Sequence, residues 1–156
     1  VKIKTKICDL KEKQLNLHSM IEKALYIAQK AHNGQTDKAG KPYILHPIRV
    51  AQRCYTDTER IVALLHDVIE DTEITSDDLY WAGFSKTIID AVLSVTRRNN
   101  ESYFKFIERC SLNPIGRIVK IHDLEDNMDI TRLDSLTERD VKRLNKYLKA
   151  YKYLTK

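Results

Sequence analysis

Two short runs of residues carry most of the chemistry this chain could perform. In HDVIED, residues 66–71, a histidine and an aspartate stand side by side within the apolar stretch IVALLHDVI. Burying an ionised carboxylate without a partner is costly, and a divalent cation is a natural partner for adjacent His66 and Asp67. Residues 67–78 hold six acids and no base, so the region as a whole calls for positive charge. On one helix, Glu70 lies four residues beyond His66 and three beyond Asp67, and Asp71 lies four beyond Asp67, so all can share a face. Two groups would then bind a cation while Glu70 and Asp71 stand ready to position and deprotonate water. Acids near a helix C-terminus oppose the macrodipole, which argues against reading them as idle surface charge.

The second run is KIHDLEDNMD, residues 120–129. Asp123, Asp126 and Asn127 fall at i, i+3 and i+4, with Lys120 one turn earlier, so one face offers a carboxylate ligand, an amide and a cation suited to phosphate. His122 points about 100° away from Asp123 and reads as structural. In YILHP, His46 stands at a loop–helix junction from which it can reach into a site, and Tyr43 is placed to form a pocket wall. His46, His66, Asp67 and Asp123 together make a mixed nitrogen and oxygen set, suited to Mn, Fe or Zn.

The elements that must position these groups read as helices. Leu17, Met20, Ile21, Ala24, Leu25, Ala28 and Ala31 recur at helical spacing and predict a first helix over about 17–32, with Ser19 and Glu22 as a capping box at or just inside its start. Residues 2–7 offer a weak strand. The stretch NGQTDKAGKPYILHP is a loop, and Pro47 opens a short helix to about Cys54. A third helix is expected over about 58–70, capped by Asp57 and buried nearly all round. Further helices open at Ser76 and end at Gly83, then cover about 86–96 and 102–110. Asn113-Pro114 reads as N-cap and first turn of the helix bearing Asp123. Thr137 starts a last, basic helix with Leu144, Leu148, Tyr151 and Leu154 inward. The expected fold is all-α, a single domain over residues 1–156 with about eight helices, its motif core at about 31–133.

Composition agrees. Charged residues make up 31%, with only four glycines and three prolines in 156 residues, which favours helices. No apolar run is long enough to cross a bilayer, and VKIKTKICDL lacks the apolar core of a signal peptide. Cys8, Cys54 and Cys110 form no CxxC pair and read as reduced thiols, so a cytoplasmic setting is expected. The net charge of +5 resides entirely in residues 137–156, where Arg139, Lys142, Arg143, Lys146, Lys149, Lys152 and Lys156 face only Glu138 and Asp140. Charge confined to one helix weighs against nucleic acid as partner and reads first as a solvated face, dispensable for chemistry. His18 and His32 read as surface or packing residues, and Trp81 and most tyrosines as core or interface. Arg97 and Arg98 either complement a helix end or clamp phosphate.

The order YILHP, LLHDVIEDT, VKIHDLEDNM resembles the HD hydrolase domain of the bacterial stringent-response enzymes, and in size the chain resembles the small alarmone hydrolases. The likeness runs from about Ala31 to Leu133 and includes AHNGQTDKAGKPYILHP. It implies an HD-domain helical bundle and one divalent ion, usually manganese, on His46, His66, Asp67 and Asp123. It implies that Glu70 and Asp71 orient and activate water, that Lys38 lies near the substrate phosphates, and that Asn127 faces the nucleoside. The implied reaction removes the 3′-pyrophosphate of guanosine tetra- or pentaphosphate, a small nucleotide substrate. Three positions depart from the family: Asp37 stands where an Arg stacks on guanine, Leu124 where a basic residue follows the last ligand, and Asp129 where an Arg is common. The alternatives are an HD phosphohydrolase acting on a nucleoside monophosphate or phosphorylated dinucleotide, favoured by Asp37, and a non-catalytic nucleotide sensor, disfavoured by the complete ligand set. The sequence leaves the oligomeric state open.

Overall fold

Ala24 and Ala28, two of the small residues that recur along the first helix, are fully buried on its inner face. A computed structural model describes residues 2–156, with side chains from Asn16 onward. Helix α1 spans Lys2–Ala31, so the residues read as a possible strand at 2–7 are helical. Its first half contains no Gly or Pro and is rich in Lys, Leu, Gln and Glu, all good helix formers. Ser19 therefore lies inside the helix, where its hydroxyl donates to the Asn16 carbonyl at 3.1 Å rather than capping a terminus.

Helix α2 spans Leu45–Arg53, with Pro47 in its first turn. Helix α3 spans Asp57–Leu65 and is capped by Thr56, not Asp57: the Thr56 hydroxyl and the Glu59 carboxylate form a reciprocal capping box. Ile61, Val62, Ala63, Leu64 and Leu65 are all buried, and α3 packs against α1, α2, α6 (Lys86–Val95) and α8 (Pro114–Met128). The expected continuous helix over 58–70 is broken, because α3 ends at Leu65 and a single turn, α4, resumes at Val68–Asp71. At the break the His66 ring takes the Ala63 carbonyl at 2.7 Å, and Asp67 sits at φ −102, ψ −6.

Helix α5 (Ser76–Trp81) is capped by Thr75 with Asp78, and Gly83 ends it with φ at +92. Helix α7 spans Tyr103–Ser111. Asn113 caps α8 through Gly116 N–H at 2.9 Å, with Pro114 in the first turn as expected. Gly116 is required by packing, since a Cβ there would come within 1.9 Å of Ser94 Oγ on α6. After a 3-10 turn at Ile130–Arg132, α9 spans Glu138–Leu154 with a capping box of Thr137 and Asp140. Among the described residues there is no strand, only an isolated bridge between Thr36 and Pro42. Among the described residues, eight helices of six residues or more, plus the single-turn α4, match the expected all-α bundle.

One core joins α1, α2, α3 and α6; a second gathers Val95, Phe106, Ile107, Cys110, Leu124, Ala150 and Leu154, with α8 between the two. Tyr103, Tyr147 and Tyr151 pack on the second core, but Trp81 is 82% exposed and belongs to neither. Cys54 and Cys110 are buried free thiols; the side chain of Cys8 lies outside the described residues.

Candidate metal centre and active site

Three helices converge where the first core meets α8. His46 comes from the first turn of α2, His66 and Asp67 from the break after α3, and Asp123 from the middle of α8. The break matters because it lets neighbouring residues turn their side chains to one point. Donor atoms of His46, His66 and Asp67 lie within 4.8 Å of one another. His46 Nε2 is 3.0 Å from Asp123 Oδ1 and 3.7 Å from Asp67 Oδ2. His66 Nε2 is 3.0 Å from Asp67 Oδ2 and 3.6 Å from Asp123 Oδ1. Ligand bonds of about 2.0–2.2 Å put neighbouring donors roughly 3.0–3.5 Å apart, close to the 3.0–3.7 Å found here.

A second observation tests the fit of a cation. His66 Nδ1–H is committed to the Ala63 carbonyl, while Nε2 is buried with no hydrogen-bond partner and faces two carboxylates. A lone pair aimed at anionic oxygens is repulsive unless positive charge stands between them, and a proton or a divalent cation supplies it. Without a cation, the protein makes the histidines more basic. Burial pushes His66 down, but Asp67 and Asp123 outweigh it and hold it well above the usual range. His46 is opposed by burial in the same way and raised by its bonds to Asp123 and Asp126. Burial would raise Asp67, yet His66 brings it down to about 2, and Asp123 is held well below its ordinary value against burial by Lys120 and both histidines.

The surroundings hold these four side chains in place. Lys120 Nζ lies 2.7 Å from Asp123 Oδ2, with its ammonium over the Phe106 ring. Asn127 Nδ2 donates to Asp123 Oδ1 at 2.6 Å, so the amide that the resemblance assigns to the nucleoside is engaged with the Asp123 carboxylate. Tyr43 donates to Asp67 Oδ2 at 2.5 Å and packs between the rings of His32 and His46.

Two cavities flank the cluster, of about 610 and 250 Å³, and both are bounded by Tyr43, Asn127, Lys146 and Tyr147. The smaller also holds Asp67, Glu70, Arg97, Lys120 and Asp123. Glu70 Oε2 accepts the Arg97 backbone N–H at 2.8 Å at its rim. Asp71 lines neither cavity; burial, Asp67 and Glu70 raise its carboxyl. Lys38 lies on the wall of the larger cavity and pairs with Asp140 at 3.3 Å. Asp37 also lies there, but its Oδ1 accepts the backbone N–H groups of Ala39 and Lys41, each at 2.9 Å, and so folds the loop.

The basic helix is not a remote solvated face. Arg139, Lys142, Arg143 and Lys146 of α9 wall the larger cavity, and Lys146 reaches the smaller one. Burial, with Arg97, Arg143 and Lys120 nearby, lowers the Lys146 ammonium. Of the residues read as the inner face of α9, Tyr151 and Leu154 pack on the second core, but Leu148 is 43% exposed, and Tyr147 and Ala150 pack inward instead; only the tertiary fold shows that the N-terminal half of α9 faces the cleft. Arg49 and Arg132, which also line the larger cavity, were not singled out in the sequence, and Asp126 was seen on the Asp123 face without a role.

Residues 24–114 match the model of the HD domain, a span that holds His46, His66 and Asp67. The chain belongs to the HD-domain family. A probable guanosine-3′,5′-bis(diphosphate) 3′-pyrophosphohydrolase of Mycoplasma pneumoniae is 42% identical over 88 residues, covering 54% of this chain and 12% of that protein. The Aquifex aeolicus guanosine-3′,5′-bis(diphosphate) 3′-pyrophosphohydrolase is 32% identical over 120 residues, 69% of this chain and 17% of the relative. A GTP pyrophosphokinase of Myxococcus xanthus is 30% identical over 142 residues, 80% of this chain and 18% of the relative. The chain thus spans less than a fifth of the length of these relatives. A solved structure described as a metazoan ortholog of SpoT that hydrolyzes ppGpp superposes with TM-score 0.72 over 86% of this chain and 84% of its own, at 21% identity. At that identity the likeness is one of fold. No described helix is long and apolar enough to cross a membrane.

Proposed function

We propose that this HD domain hydrolyses the 3′-pyrophosphate of guanosine tetra- or pentaphosphate, using one divalent ion, manganese, held by His46, His66, Asp67 and Asp123. The observation that carries the reading is the convergence of four donor atoms between two cavities ringed by cations. When bound, such an ion supplies Lewis acidity toward a phosphoryl oxygen and makes water a stronger acid.

The residues divide the remaining work. Arg97, Lys120 and Lys146 surround the smaller cavity and offset the charge of a pyrophosphoryl group there. Glu70, anchored on the Arg97 N–H, takes the proton of the attacking water, and Asp71, one residue on, adds a second carboxylate beside it. Water adds to the 3′ phosphorus, the bond to the 3′ oxygen breaks with its electron pair going to that oxygen, which takes up the proton held by Glu70, and pyrophosphate and the 5′-phosphorylated guanosine leave. The larger cavity, with Lys38, Tyr43, Arg143 and Asn127 on its walls, takes the nucleoside and its 5′ phosphates. The names of the long relatives support the substrate, and the ligand set of nitrogen and oxygen supports the metal class.

A second reading, another nucleotide as substrate, is favoured by Asp37, which puts a carboxylate on the wall of the larger cavity. A panel separates the two: pyrophosphorylated guanosine and adenosine nucleotides, nucleoside monophosphates and phosphorylated dinucleotides, with Mn²⁺, scoring pyrophosphate and phosphate separately. Pyrophosphate release from the guanosine compound is expected. Cleavage of a monophosphate with none of the pyrophosphorylated compounds would hand the site to the second reading.

A further inference from the structure

Asp126 is 1% exposed and lies outside the four-atom cluster, yet it is the most heavily bonded carboxylate near it. Its Oδ2 lies 2.7 Å from His46 Nδ1. Arg49 grips both oxygens, Nε at 2.8 Å from Oδ1 and Nη2 at 3.0 Å from Oδ2. Arg132 Nη2 lies 3.3 Å from Oδ2 and donates to the Asp126 main-chain carbonyl at 2.5 Å. An ionised carboxylate at this depth needs such partners, but two arginines already satisfy it. The bond to His46 therefore does something beyond neutralising Asp126.

A carboxylate at Nδ1 keeps the ring proton on that nitrogen and leaves Nε2 with its lone pair. Nε2 is the atom directed at Asp123 and Asp67, at 3.0 and 3.7 Å. We infer that Asp126 is a positioning residue for His46: it fixes the tautomer and the ring plane, with Arg49 and Arg132 holding the carboxylate itself in register. The inference rests on the reading of His46 as a metal ligand. Arg49 and Arg132 are also wall residues of the larger cavity, so the same network joins the proposed nucleotide-binding wall to a metal ligand.

The test is Mn²⁺ affinity of the chelator-stripped full chain, read from the free-ion electron paramagnetic resonance signal and independent of any substrate. Removing such a partner costs about 10–100-fold in metal affinity, and Asp126→Ala is expected to show it. Asp126→Asn keeps an acceptor oxygen at Nδ1 without the charge and is expected to lose only about three- to tenfold, between wild type and Ala. A packing defect unrelated to His46 has no reason to follow that order. Affinity of Asp126→Ala within twofold of wild type, with the helical circular dichroism intact, overturns the inference, as does an Asn variant as weak as Ala. His46→Ala separates the two layers. If it binds Mn²⁺ normally, the ligand reading fails; if it binds weakly while Asp126→Ala does not, only the positioning role fails. Should Asp126→Ala not fold, Arg49→Gln leaves Asp126 with Arg132 and is expected to weaken Mn²⁺ severalfold; unchanged affinity there overturns the inference equally.

Discussion

Glu70 Oε2 accepts the backbone N–H of Arg97 at 2.8 Å, tying the single turn α4 to the segment that follows α6 across the mouth of the smaller cavity. Gln can accept the same bond through its amide oxygen, so Glu70→Gln should preserve the tie while removing the base. We expect kcat to fall by about 10²–10⁴-fold, the usual worth of a general base, with metal content unchanged. Metal analysis and steady-state kinetics on the same preparation check it. Near wild-type kcat in a metal-replete Glu70→Gln protein would refute the role.

The basic helix α9 is divided by the fold, so its charges should not behave alike. Arg143 and Lys146 wall the proposed substrate cavities, whereas Lys149 and Lys152 line a separate groove with Phe104 and Tyr153. A bond from a charged group to phosphate is worth about 1.5–3 kcal/mol. Lys146→Ala is therefore expected to raise KM by roughly tenfold or more, with a steeper loss in high salt for wild type than for the variant. Lys149→Glu with Lys152→Glu should stay within a few-fold of wild type. Equal effects from Lys146→Ala and from the double variant would mean that α9 acts through its overall charge, not through the cavity walls.

Arg109 holds the end of α6 to the loop that follows it. Its guanidinium bonds Glu101 at 2.8 and 2.9 Å and donates to the carbonyls of Leu93, Ser94 and Thr96. The bond to Arg109 pulls the Glu101 carboxyl from an ordinary 4.5 down to about 2. The ionised form is thus favoured by folding: its contribution is fully present above pH 4.5 and fades as pH falls toward about 2. The Tm difference between wild type and Glu101→Gln should be constant near neutral pH and shrink below pH 4.5. A difference that stays constant through that acid window would assign the stabilisation to something other than this ion pair.

Local signals in the sequence were legible where the physics is local. Asn113-Pro114, Gly83 and Thr137 mark helix boundaries because caps and breakers act within a turn. His46, His66, Asp67 and Asp123 could be singled out because buried charge needs a partner wherever the chain puts it. The break between His66 and Asp67 was not legible: IVALLHDVI is apolar enough to continue as helix, and the turn is set by His66 taking the Ala63 carbonyl within a packed core. The clamp of Arg49 on Asp126 joins residues 77 apart in sequence, and no periodicity reports such a pairing. Likewise, which half of α9 faces the cleft depends on how α9 packs against α8, a tertiary contact that no local pattern within α9 reports.

Asp37 stands where the resemblance implies an arginine stacked on guanine. Its geometry gives the side chain two separable jobs. Oδ1 is occupied by the N–H groups of Ala39 and Lys41, which shape the loop carrying Lys38; Oδ2 faces Arg132 at 3.8 Å on the wall of the larger cavity. Asp37→Arg therefore mixes a gain of charge with a collapsed loop. Asp37→Asn is the cleaner change, since its amide oxygen can keep the loop bonds while the negative charge disappears. A carboxylate at the cavity wall repels a polyphosphorylated nucleotide and also partly neutralises Arg132. Losing it should lower KM for the pyrophosphorylated guanosine nucleotide by about two- to fivefold, a surface-scale electrostatic effect of up to roughly 1 kcal/mol, with kcat unchanged. Asp37→Ala loses the loop bonds as well and should raise KM and lower Tm. Comparing guanine and adenine nucleotides across wild type, Asn and Ala then locates the base: discrimination that shifts with Asp37→Asn puts the base beside residue 37, and discrimination that is the same in all three proteins puts it elsewhere on the wall.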